Sequence, residues 1–245
     1  MNLNQILPFI SSVVMIFFTL SVFQRWIVRR KPHFLFWSLG LAMFTIGSFA
    51  EAYFAVIGWS VPMFFGWYLF GAALNAAWLG HGTLLLLIRK RWVNAVTALL
   101  IAGSLVTAFL MIQTMPRLDA TSFSKTVAIS EQYREIMPPV ADGGIVRMTT
   151  PFFNIYGLIT LVGGALWSAW LFYRKQVLPN RVIGNVLIAI GALAIASAST
   201  LTRLGLGAYL YLGELIAAVL MYAGFLVASA PATEAERASE PIIAQ

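Results

Sequence analysis

Apolar residues run along this chain in seven long blocks, at roughly 5–28, 34–58, 62–88, 92–114, 150–173, 182–206 and 208–228, broken by short polar or basic stretches. Crossing a hydrocarbon layer of about 30 Å takes about 20 residues of helix, and each block is long enough. Backbone polar groups find no water there, so every block must satisfy its own hydrogen bonds as a helix. The pattern predicts an all-α integral membrane protein with seven transmembrane helices. Residues 1–228 read as a single seven-helix domain, and 229–245 as a short polar tail, expected to be disordered. That tail is too short for a kinase or cyclase output domain. No basic residue precedes the first apolar block, and no small-residue cleavage site is clear, so the block reads as a retained first helix and not a signal peptide.

One long break interrupts the pattern, at about 115–149. It mixes charges with "MPP" and "DGG", which punctuate regular structure. Breaks of this length commonly serve as lids or docking surfaces. Within it, "EQYREI" predicts a short surface helix.

Composition agrees with the pattern. Hydrophobic residues make up 60% of the 245, charged residues 10%, and the mean hydropathy is +0.84. Soluble domains carry about 25% charged residues. There is no cysteine, which removes disulfides, thiolate chemistry and cysteine metal sites together.

The net charge of +7 changes the picture only once the charges are placed. Eleven basic residues fall at one end of the spans: Arg25, Arg29, Arg30, Lys31, Arg89, Lys90, Arg91, Arg174, Lys175, Arg181 and Arg237. The other end has Arg117, Lys125, Arg134 and Arg147, balanced by Asp119, Glu131, Glu135 and Asp142. Charges grouped this way do not form a nucleic-acid surface, and no nucleic-acid partner is expected. They orient a membrane protein, the basic end being cytoplasmic. The N-terminus and the 115–149 loop are then outside, the C-terminus inside, in a bacterial-type cytoplasmic membrane. Trp26, Trp37 and Trp92 fall near the inner boundary and Trp59 and Trp67 near the outer one, as an aromatic belt would. Trp78, Trp167 and Trp170 lie deeper and read as packing residues.

"GAALNAAWL" at 71–79 and "GGALWSAWL" at 163–171 agree at six of nine positions. Shared small-residue packing explains the likeness, since glycine and alanine let membrane helices approach closely.

Four ionisable residues lie inside the spans: Glu51, His81, Arg203 and Glu214. A charge at the bilayer centre costs about 2.5–3.5 kcal/mol on insertion scales, so such residues pair or line a cavity. At 1.5 Å per residue, Glu51 lies roughly 10 Å below the outer boundary on the second span, and Glu214 about 9 Å below it on the seventh. Arg203 is near the outer end of the sixth. Helical spacing puts Gly40, Phe44, Gly47, Ser48 and Glu51 on one face, Tyr211, Glu214, Ala218 and Met221 on another, and Ala196, Ser199, Thr200 and Arg203 on a third. Asn75, Asn154 and Tyr156 add polar groups toward the same level. The expected site is a polar pocket in the outer half of the bundle, lined by Glu51, Asn75, Asn154, Tyr156, Thr200, Arg203 and Glu214, which binds a ligand or a proton. The plainer reading is an ion-pair network that fixes helix packing. Glu51 is expected to point inward and meet Arg203, Glu214 or water.

His81 lies on the inner half of the third span. It reads as a neutral histidine bonded to a neighbouring hydroxyl or to Asn185, a secondary polar site. The other histidine, His33, sits at the interface, so a two-histidine haem site is not expected, and a metal site lacks ligands. Seven helices in this orientation resemble, in topology alone, microbial rhodopsins and the seven-helix sensor regions of bacterial histidine kinases. Lys31, Lys90, Lys125 and Lys175 all lie outside the spans, so no Schiff-base lysine is placed for retinal. H-E-x-x-H, Walker, dinucleotide and G-x-S-x-G motifs are absent, and no catalytic residue is assigned.

Three functions fit. The first is a membrane sensor, receptor-like protein or accessory subunit, with an outer polar pocket and output through a partner membrane or signalling protein. The second is a small transporter or proton relay using the intramembrane carboxylates. The third is a lipid-modifying membrane enzyme, although no nucleophile–base or metal set is recognisable. Membrane lipid is a partner in every case.

Overall fold

The computed structural model describes residues 3–175, 179–203 and 209–230, with the backbone alone for Leu3, Asn4, Gln5 and Arg203. Most of the expected tail, 231–245, lies outside the described residues, as does the link 204–208.

Seven helices are long and apolar enough to cross a membrane. They are α1 (Leu3–Arg29), α2 (Pro32–Val56), α3 (Val61–Leu87), α4 (Trp92–Thr114), α6 (149–174), α7 (Pro179–Arg203) and α8 (Leu210–Ala228). The short helix α5 (Ile129–Ile136) lies in the long connection. Starts are marked by proline. Pro32 and Pro62 sit in the first turns of α2 and α3, and Pro179 opens α7, where the missing N–H costs nothing. Gly58, at φ 119°, takes the left-handed turn between α2 and α3 that a side chain would strain.

Six of the spans close a ring. Contacts run α1–α2–α3–α6–α7–α8 and back to α1, and α4 leans on the outside of α3. Small residues let the ring tighten. A Cβ on Gly47 would come within 2.7 Å of the Gly71 Cα, so α2 and α3 cross backbone to backbone. Gly184 and Gly224 do the same for α7 and α8, each lying under the other's carbonyl oxygen. Outward faces are apolar: Phe109 is 59% exposed and Leu99 72%. Trp167 and Trp170 belong to this outer face, 54% and 42% exposed. There their rings pack against each other, with 4.9 Å between centroids. Trp78 alone of the three is inside, stacked on Phe36 and donating to Ser104 Oγ at 3.1 Å.

The long connection is ordered into a cap. Ile129, Gln132 and Ile136 of α5 are buried, which follows from their spacing on one face. Gln132 Nε2 donates to the carbonyl oxygens of Ser124 and Val127, and its Oε1 accepts from Ser124 N–H. Asp119 accepts from the N–H and hydroxyl of Thr121 at 3.0 and 2.7 Å, which holds its carboxyl below the usual range. Ile129, Ile136 and Met137 join Phe64 and Trp67 in one apolar cluster, which fixes the cap to the end of the bundle.

Among the described residues, two stretches of the spans widen from α to π geometry. Trp67–Leu74 in α3 and Ile159–Gly163 in α6 are wound as π-helix. Both lie at the "GxxL" repeats noted in the sequence, the first overlapping and the second ending on the leading glycine.

Candidate functional site

Glu51 sits on the small-residue face of α2, where Gly47 and Ser48 are also buried. It is 2% exposed, and Glu214 on α8 is 8% exposed. The two carboxyl groups reach each other. Two carboxylates have no donor between them, so this contact requires a proton or a bound cation. Trp67 Nε1–H donates to Glu51 Oε1 at 2.9 Å. The remaining oxygens, Oε2 of Glu51 and of Glu214, receive no donor among the described residues. Tyr211, one helical turn before Glu214, lies beside both acids, and its hydroxyl reaches the backbone of Ile129 in the cap. Of the three partners the sequence left open for Glu51 (Arg203, Glu214 or water), Glu214 is beside it. The side chain of Arg203 lies outside the described residues, so its place beside the pair is not defined.

The pair lines a cavity of ≈ 890 Å³ between the ring helices and the cap. Asn75, Asn154 and Thr200 line it too, together with Ser199 and Ala196 of the same α7 face. Five of the seven expected residues therefore converge. Tyr156 is a correction: it does not line this cavity but turns to His81. Two residues separate it from Asn154, about 200° around the helix, which turns it to the opposite side and so to the other cluster.

The π stretch explains the two asparagines. Its hydrogen bonds run to the fifth residue back, as from Asn75 N–H to the Phe70 carbonyl, and this frees carbonyl groups beside the cavity. Asn75 Nδ2 donates to the Gly71 carbonyl at 2.7 Å, and Asn154 Nδ2 to the Ala72 carbonyl at 3.1 Å from α6. These donors serve the backbone, so Asn75 and Asn154 shape the cavity wall. The same stretch presents Trp67, Tyr68 and Gly71 to the cavity. Tyr68 is held by Thr150 at 3.1 Å between hydroxyls.

The cap supplies the rim. Ser130, Glu131, Tyr133 and Arg134 come from α5, and Arg147 from the turn before α6. Arg147 lies over the Tyr133 ring at 6.0 Å. The buried acids Glu51 and Glu214 are thus deep, and the rim carries Arg134 and Arg147 beside Glu131, with Arg134 and Glu131 exposed. The hydroxyl of Tyr133 is 3.3 Å from Arg134 Nε and accepts from it, which pushes the guanidinium pKa up.

Sequence reasoning missed Trp67, read as an interfacial aromatic. It is 5% exposed and bonded to the acid. Its position six residues into α3 gives a depth of about 9 Å, the level of Glu214, so the same arithmetic could have placed it.

His81 is fully buried. Its Nδ1 lies 2.7 Å from the Tyr156 hydroxyl and its Nε2 2.7 Å from the Thr97 hydroxyl. Thr97 gives its own proton to the Val93 carbonyl at 2.9 Å, so it must accept from Nε2–H. Nδ1 then accepts from Tyr156, and the neutral tautomer satisfies all three groups. Asn185 is a second correction. It donates to Ser168 Oγ at 3.1 Å, not to His81, because it faces a separate cavity at the basic end. Among the described residues no group of three or more metal-ligating side chains occurs.

Compared with protein-family models, with curated proteins and with solved structures, the chain matches none.

Proposed function

We propose that this multi-pass membrane protein is receptor-like, a sensor or accessory subunit whose capped cavity binds a small solute bearing an ammonium group. The observation that carries this reading is the facing Glu51–Glu214 pair, with an oxygen on each acid that lacks a donor. An ammonium group brings three donors and a positive charge, which answers both deficits at once. Trp67 and Tyr68 give the aromatic wall that commonly accompanies a cation. With the basic end cytoplasmic, the cavity opens outward beneath the cap, and the signal leaves through a partner in the membrane.

The test is thermal unfolding of purified protein with a panel of primary amines. A ligand at a hundred times its Kd stabilises by about 2.7 kcal/mol, so a true ligand gives a clear rise in Tm. The rise is expected to vanish in Glu51→Gln combined with Glu214→Gln. An equal rise in that variant, or none in the wild type for any amine, would overturn the reading.

A second reading has its own support. Leu79, Leu161 and Met221 line both this cavity and the one at the basic end, so a thin apolar layer separates two vestibules. An apolar constriction between wet ends is a gate in channels and carriers. The acid pair is then a proton site, and the protein a proton relay. Proteoliposomes that acidify under a pH gradient with the wild type, and not with Glu214→Gln, would select it.

A further inference from the structure

The cavity at the basic end is unlike the acidic one. It encloses ≈ 670 Å³ on the axis of the ring, with walls from all six ring helices. Its depth is apolar: Phe18, Leu41, Leu161 and Phe225 line it and are buried. Its mouth is basic. Arg25 and Arg29 come from the last turns of α1, Lys31 from the link to α2, and Arg181 from the start of α7. Among the described residues no aspartate or glutamate lines it. Arg25 is already drawn over the wall, its guanidinium carbon 4.5 Å from the centre of the Phe225 ring.

A slot with an apolar interior and a ring of cations at the level of the helix ends has the polarity of one amphiphile. We infer that it holds an anionic phospholipid, its phosphate among Arg25, Arg29, Lys31 and Arg181 and an acyl chain along Phe18, Leu41 and Phe225. Charge complementarity selects the anionic headgroup over a zwitterionic one, since among the described residues nothing acidic at the mouth would receive a choline. The apolar depth selects a lipid over free phosphate, which would leave the slot unfilled. Basic pockets between membrane helices bind anionic headgroups on the same physical grounds. The site lies at the opposite end of the bundle from the acid pair and does not depend on the function proposed for it.

Native mass spectrometry of the full chain tests this, with phosphatidylglycerol or phosphatidylcholine of identical chains added in equal amounts. The wild type is expected to retain phosphatidylglycerol at least about tenfold better. The combined change Arg29→Gln, Lys31→Gln, Arg181→Gln touches only exposed side chains and leaves the helices intact. It should erase the preference. The control Arg89→Gln, Lys90→Gln, Arg91→Gln removes three exposed charges that do not line the cavity, and should keep it. Equal retention of the two lipids by the wild type, or equal loss in both triple variants, would mean surface attraction only and would overturn the inference. So would displacement of the lipid by equimolar inorganic phosphate. Residues 231–245 carry Glu234, Glu236 and Glu240, and follow directly on the lining residue Ala230. Retention that appears only when those three are changed to Gln would assign the cavity to the chain's own tail and would equally overturn it.

Discussion

At the residue scale, the acid pair depends on Trp67. Apart from a proton shared with Glu214, its indole N–H is the one donor to Glu51 among the described residues, and the indole is itself buried. Removing a donor from a buried acceptor costs about 1–3 kcal/mol, and more when the acceptor is charged. Trp67→Phe keeps an aromatic ring, removes the donor and leaves a small void, so it should destabilise by at least that much, and the void cancels in the double-mutant cycle. In a Glu51→Gln background the lost bond is neutral, and the cost should fall to about 0.5–1.5 kcal/mol. Denaturant unfolding of the four proteins in the cycle measures the difference. Strict additivity would mean that the carboxylate strengthens the bond no more than an amide does. The meeting of Glu51 and Glu214 was legible in the sequence because depth in a membrane helix is simple arithmetic and both faces are marked by small residues. The depth of the tryptophan was open to the same arithmetic, but its direction was not, because an indole has the same sequence appearance whether it faces lipid or turns inward.

At the element scale, the spans were legible to within a few residues, since apolar length alone defines them. The predicted helix at "EQYREI" appears as Ile129–Ile136. The π stretches were not legible. A shift of hydrogen bonds from the fourth to the fifth residue leaves the apolar pattern of a membrane helix unchanged, because that pattern has no polar face to reveal a change of phase. Without the shift, the roles of Asn75 and Asn154 as backbone partners could not be read. The paired "GxxL" segments show how alike sequences take different loads. Gly71 presses against Gly47, whereas Gly163 has nothing within 4 Å of where a Cβ would stand. Gly71→Ala must push two backbones apart and should cost about 1–3 kcal/mol, as overpacking does. Gly163→Ala should be neutral, or stabilise by up to about 1 kcal/mol through helix propensity. Tm values for the two variants check this. Equal losses would show that the two segments are packed alike.

At the scale of the whole molecule, the ring separates two chemistries. Acids sit in one vestibule and bases surround the other, with Leu79, Leu161 and Met221 between them. The charge asymmetry that the sequence uses for orientation is therefore also a difference between two binding environments. Which solutes each vestibule meets depends on which end faces the cytoplasm. The eleven-to-four division of basic residues between the ends predicts the Arg29–Lys31 end inside and the cap outside. The chain has no cysteine, so single cysteines report without background. Ser122 in the cap and Lys90 at the basic end are both exposed. In intact cells, Ser122→Cys should react with a membrane-impermeant thiol reagent, and Lys90→Cys only after permeabilisation. Equal labelling of both before permeabilisation would overturn the orientation. The reverse pattern would place the acid pair on the cytoplasmic side, and the ammonium-bearing solute would then have to come from the cytosol.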